Sequence, residues 1–93
     1  MTPIRVLIAE DQTILRETYV NVLKEIPNIV VLEAVADGEA VVEAAGRLRP
    51  DVVLLDIQMP KLNGIQAAER IRAMMPHVGL VLFSHYSDNR CFF

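Results

Sequence analysis

The chain has 93 residues, a formal net charge of −3, and 53 % hydrophobic against 23 % charged residues. That length makes one domain at most, and that composition excludes a disordered chain. No run approaches the ~20 apolar residues of a membrane span, no basic patch precedes the first apolar run as in a secretory leader, and no block of Lys and Arg offers a nucleic acid a surface. The single cysteine, Cys91, has no partner for an internal disulfide. A reducing cytoplasm is the expected setting.

The first apolar run, Ile4–Ala9, is β-branched and predicts a strand. Leu15, Tyr19, Val22, Leu23 and Ile26 follow at helical spacing, a stripe along one face of a helix that Pro27-Asn28 ends. Ile29–Ala34 is a second strand. Asp37-Gly38 opens the second helix, with Asp37 as the expected cap; Val41, Ala44, Ala45 and Leu48 stripe its face. Pro50 separates it from a third strand, Val52–Leu55. Asn63-Gly64 opens the third helix, whose apolar positions Ile65, Ala68, Ile71 and Met75 are less regular, and Pro76 closes it. Val78–Phe83 is the fourth strand, and Ser87-Asp88-Asn89 reads as the start of a fourth helix. Strands one, three and four are almost wholly apolar, the pattern of strands covered on both sides. Alternation with helices then predicts an α/β domain with a parallel sheet between helical layers.

Open parallel sheets bind ligands beyond the carboxyl ends of their strands. Glu10-Asp11 follow the first strand and Asp56 follows the third. Two unit charges ~5 Å apart at an effective dielectric of ~20 repel by about 3 kcal/mol. Only Lys61 lies on these loops to offset that. A hard divalent cation such as Mg²⁺, which takes oxygen ligands, would offset it better. It would also screen an incoming phosphate and leave Asp56, alone on its strand end, as candidate nucleophile. Plainer roles stay open: Asp11 as cap of the first helix, where it favours the positive end, and Asp56 as a turn residue.

The blocks VLIAEDQTILRE, DVVLLDIQMPKLNG and VLFSHYSD, in this order and spacing, resemble the receiver domains of two-component response regulators. The stretch IPNIVVLEAVADGEAVVEAA resembles the NarL/LuxR-type subgroup, whose full-length members carry a helix-turn-helix output domain. The resemblance implies a flavodoxin-like (CheY-like) three-layer αβα sandwich with parallel strand order 2-1-3-4. It implies that Asp56 is the phosphoacceptor and that Glu10, Asp11, Asp56 and the backbone carbonyl of Gln58 hold Mg²⁺. It implies that Ser84 hydrogen-bonds the phosphoryl group, and that Pro60 and Gly64 shape the loop into the third helix. Gln58 and Tyr86 stand where the family tunes the access of water to the phosphoryl group, Tyr86 as a shield, with His85 beside it facing solvent. The phosphodonor would be a sensor histidine kinase or a small acyl phosphate. Transcriptional control through DNA would belong to an output domain outside this sequence.

The family's fifth strand, with its lysine and aromatic switch residue, and its fifth helix have no counterpart here. The expectation is a receiver domain over residues 1–93 that is incomplete at its C-terminal side. Its fourth strand would be a bare edge, weakly stable or rescued as a homodimer or strand-exchanged dimer. The alternative is a degenerate receiver serving as a non-phosphorylated interaction module. A phosphohydrolase of the haloacid-dehalogenase type wants a second acid two residues after its nucleophile, where this chain has Gln58. A flavin or nucleotide module wants a loop whose amides face phosphate, where this chain has Glu10-Asp11. No enzyme activity is expected beyond self-catalysed phosphoryl transfer.

Overall fold

A computed structural model of the chain describes residues 2–84. The elements run β1 (Ile4–Ala9), α1 (Thr13–Lys24), β2 (Ile29–Val35), α2 (Gly38–Leu48), β3 (Val52–Asp56), α3 (Gly64–Met74) and β4 (Gly79–Phe83). All four strands are parallel, in the order β2-β1-β3-β4. This is the flavodoxin-like arrangement. The four predicted strands and the first three helices stand where expected, with α1 ending at Lys24 so that Ile26 lies beyond it, β2 one residue longer, β4 starting at Gly79, and Asp56 as the last residue of β3 rather than the first after it.

Strand alternation divides the sheet into two faces. Leu7, Ala9, Val53 and Leu55 point to one side, where Val41, Ala44 and Ala45 of α2 and Ala67, Ala68 and Ile71 of α3 complete the core. Small alanines on both helices let α2 and α3 lie close to the strands and to each other. Ile8, Leu54 and Val81, opposite one another in register, point to the other side, towards α1. There the covering is thin. α1 has no fully buried residue, and Val22, in its apolar stripe, is 56 % exposed. Between α1 and the sheet runs an apolar trough of ≈ 580 Å³, lined from α1 by Tyr19, Val22 and Leu23. β4 is the sheet's edge among the described residues, with Val81 48 % and Leu82 42 % exposed.

The helix starts follow different rules. Asp37 accepts a hydrogen bond from the Ala40 amide at 2.8 Å and caps α2. Asn63 and Gln66 form a reciprocal capping box at α3. At α1 the N-cap is Gln12, with no side-chain cap hydrogen bond, so neither Glu10 nor Asp11 is the cap.

Candidate metal and phosphoacceptor site

Strand order reverses between β1 and β3. β1 leads to β2 on one side, and the chain then returns to place β3 on the other. The crevice at such a switch point is where this class of sheet binds ligands. Ala9 of β1 lies opposite Leu55 of β3, so the next residues, Glu10 and Asp56, emerge side by side. Both share the parity of Ile8 and Leu54 and so start on the α1 face.

Glu10 and Asp56 are buried, at 0 % and 1 % exposure. Each carboxylate accepts a hydrogen bond from the amide two residues ahead: Gln12 N to Glu10 Oε2 at 2.9 Å, and Gln58 N to Asp56 Oδ1 at 3.1 Å. The more open Asp11 joins them. One carboxylate oxygen from each of Glu10, Asp11 and Asp56 lies within 4.8 Å of the others. Two oxygens on one Mg²⁺ stand at most about 4.2 Å apart, given metal–oxygen distances of about 2.1 Å. Small side-chain rotations close that difference. Three convergent, partly dehydrated carboxylates and an all-oxygen donor set fit a hard divalent cation.

The loop from β3 to α3 is held by close backbone approaches. Gly64 lies against the carbonyl of Asp56, where a Cβ would overlap it, and its amide donates to Ile57 O at 2.9 Å. Gly38, first residue of α2, lies against the carbonyl of Leu62 in the same way. Pro60 sits in the exposed part of this loop and its carbonyl accepts from the Leu62 amide at 2.8 Å. Lys61, at φ 71°, places Nζ 3.7 Å from Asp37 Oδ2. The rim lysine is thus engaged with the cap of α2.

Ser84 directly follows β4, whose Phe83 is the register partner of Asp56. The Phe83 carbonyl accepts from the Ile57 amide at 2.9 Å. The Ser84 Oγ is buried and hydrogen-bonds to none of the described residues. Gln58 is exposed; its amide is what meets Asp56. His85 and Tyr86 lie outside the described residues, as do Cys91 and the segment expected to begin a fourth helix.

Two residues near the site carried no such signal in the sequence. Tyr19, read there only as part of an apolar stripe, stacks edge-on against Phe83, with ring centroids 5.3 Å apart. Burial, and then the negative charges of Glu10 and Asp56, push its phenol pKa up. Arg16 sends its guanidinium back to the Glu10 and Asp11 carbonyls. Its position five and six residues after the acids, one turn into a helix, was the available clue.

The family model for the response regulator receiver domain matches residues 6–92. The chain belongs to the response regulator receiver family. Among curated relatives, the protein-glutamate methylesterase/protein-glutamine glutaminase of Nitrosospira multiformis is 41 % identical over 85 residues, which are 91 % of this chain and 24 % of that protein. The uncharacterized transcriptional regulatory protein YxjL of Bacillus subtilis is 32 % identical over 90 residues, 97 % of this chain and 41 % of YxjL. The chain therefore spans about a quarter to two fifths of these relatives' lengths. The signal receiver domain of the response regulator NarL from Mycobacterium tuberculosis superimposes with a TM-score of 0.87 at 29 % identity, covering 96 % of this chain and 72 % of that one.

Proposed function

We propose that this receiver takes a phosphoryl group on Asp56, from the phosphohistidine of a sensor kinase or from a small acyl phosphate, and acts as a phosphorylation-controlled switch. The observation that carries this reading is the convergence of Glu10, Asp11 and Asp56 within 4.8 Å at the β1–β3 switch point. An Asp56 carboxylate oxygen attacks phosphorus. The O–P bond forms as the donor's P–N or P–O bond breaks, and the donor leaves as imidazole or carboxylate. Mg²⁺, held by Glu10, Asp11, Asp56 and the carbonyl of Gln58, would neutralise charge on the transferred group. The Gln58 amide steadies the Asp56 carboxylate. The buried Ser84 hydroxyl supplies a donor to the new phosphoryl oxygens, which raise the local charge from −1 towards −2. Turning Ser84 inward would move the end of β4 and with it Phe83 and Tyr19, the element through which the switch is read.

The output belongs to the longer proteins in which such a domain works. The resemblance to NarL/LuxR-type regulators and the match to YxjL favour transcription, in the cytoplasm. The methylesterase relatives make an enzymatic output the rival. Along the β4 edge, a second copy can pair strand to strand. No helix among the described residues is long and apolar enough to cross a membrane.

The test is mass spectrometry after incubation with acetyl phosphate. Labelling is expected with Mg²⁺, lost with a chelator, and lost in Asp56→Asn. An unlabelled native chain would leave the interaction-module reading instead.

A further inference from the structure

We propose that Arg16 is a positioning residue for the metal site: it sets the turn after β1 so that Asp11 points at Asp56. This rests on the reading of Glu10, Asp11 and Asp56 as cation ligands. The turn from β1 into α1 lacks the usual means of holding its shape. It contains no glycine or proline, and the Gln12 N-cap makes no side-chain hydrogen bond. Hydrogen bonds to its backbone hold it instead. The Glu10 amide donates to Val35 O at 3.0 Å, the Gln12 amide donates to Glu10 Oε2 at 2.9 Å, and Gln12 O accepts from the Arg16 amide at 2.9 Å. The Arg16 guanidinium adds to these. Its Nη1 donates to Glu10 O at 2.9 Å and reaches Asp11 O at 3.4 Å, while Nη2 reaches Thr13 Oγ1 at 3.4 Å.

The two carbonyls belong to the peptide planes on either side of the Asp11 Cα. Each peptide unit is rigid and planar. Holding both planes fixes φ and ψ at Asp11, and hence the direction of its Cα–Cβ bond. Asp11 is also the most open of the three acids, so packing does little to orient it. Glu10 is held independently, by burial and by its bond from Gln12. The guanidinium therefore acts mainly through Asp11.

Nη1 meets both carbonyls while Nη2 meets Thr13 Oγ1, so the planar fork fixes the orientation of the nitrogen that faces the carbonyls, whereas an ammonium is a point donor on a freely turning stem. Lysine at this position keeps the charge and loses the second arm that orients the donor. An electrostatic role predicts the opposite pattern. A cation beside the site repels Mg²⁺, so its removal alone would tighten binding.

The experiment is Mg²⁺ titration calorimetry on the native chain, Arg16→Met, Arg16→Lys, Asp11→Asn and the Arg16→Met/Asp11→Asn double variant, with far-UV circular dichroism to check that each is folded. Outer supports of metal ligands are typically worth about 10-fold or more in affinity. Arg16→Met and Arg16→Lys are each expected to bind Mg²⁺ about 10-fold more weakly. Arg16→Met should add nothing once Asp11 is gone. Native affinity in both single variants, tighter binding in Arg16→Met, or an additive double variant overturns the role of Arg16 and leaves the site reading standing. No saturable binding by the native chain overturns both. Loss of fold in Arg16→Met alone passes the decision to Arg16→Lys, which keeps the alkyl stem and charge; loss in both overturns a role confined to the turn.

Discussion

At Tyr19 three surroundings meet: the apolar trough, the ring of Phe83, and the field of two buried carboxylates. Burial and those charges hold the proton on its phenol, so its folded pKa lies above the unfolded value of about 10. The folded chain then binds more protons between the two values. Its contribution to stability is complete below the unfolded pKa and is lost as pH rises through the folded one. Spectrophotometric titration in a Tyr86→Phe background is expected to show Tyr19 ionising above an ordinary tyrosine. Saturating Mg²⁺ should bring it down by cancelling the charge it faces; an unchanged titration would mean that Tyr19 does not sense the acids. The acids themselves were legible residue by residue, because strand-end carboxylates stand out against apolar runs. Tyr19 was not, because helical spacing reports which face a residue is on and not what lies across from it.

The β3–α3 loop meets the backbone of α2 most closely at the approach of Gly38 to the Leu62 carbonyl. The obstacle there is backbone, which cannot rotate away as a side chain can. Gly38→Ala is expected to destabilise the fold by about 1–3 kcal/mol, as overpacking does. Asp37→Ala removes a cap and an exposed contact with Lys61, at a cost of about 1 kcal/mol. Urea denaturation of both checks the order; a tolerated Gly38→Ala would show that the loop floats free of α2. Asp37-Gly38 read correctly as a helix start, since capping is local chemistry. That the glycine also seats a loop over twenty residues further on required the tertiary packing.

Over the whole molecule, burial is lopsided. The α2–α3 side of the sheet is closed, while α1 and β4 leave apolar surface open among the described residues. A strand with half-exposed Val81 and Leu82 that is the sheet's edge among the described residues is self-complementary. Sedimentation equilibrium of the 93-residue chain is expected to show concentration-dependent dimers. Val81→Lys should shift them to monomer by placing a charge on the edge strand. A native chain that stays monomeric at high concentration would dispose of β4 self-pairing.

Element types, their order and the parallel sheet were determined by the sequence itself, because apolar periodicity and helix punctuation act over a few residues. The resemblance in three motif blocks supplied strand order, which no local pattern in this chain expresses. Only the tertiary structure decided that Glu10, Asp11 and Asp56 come within 4.8 Å, that Arg16 holds the carbonyls of the first two, and that Lys61 meets Asp37. Such contacts join residues whose separation along the chain carries no periodic signal, so they exist only once strand register and loop backbone are in place.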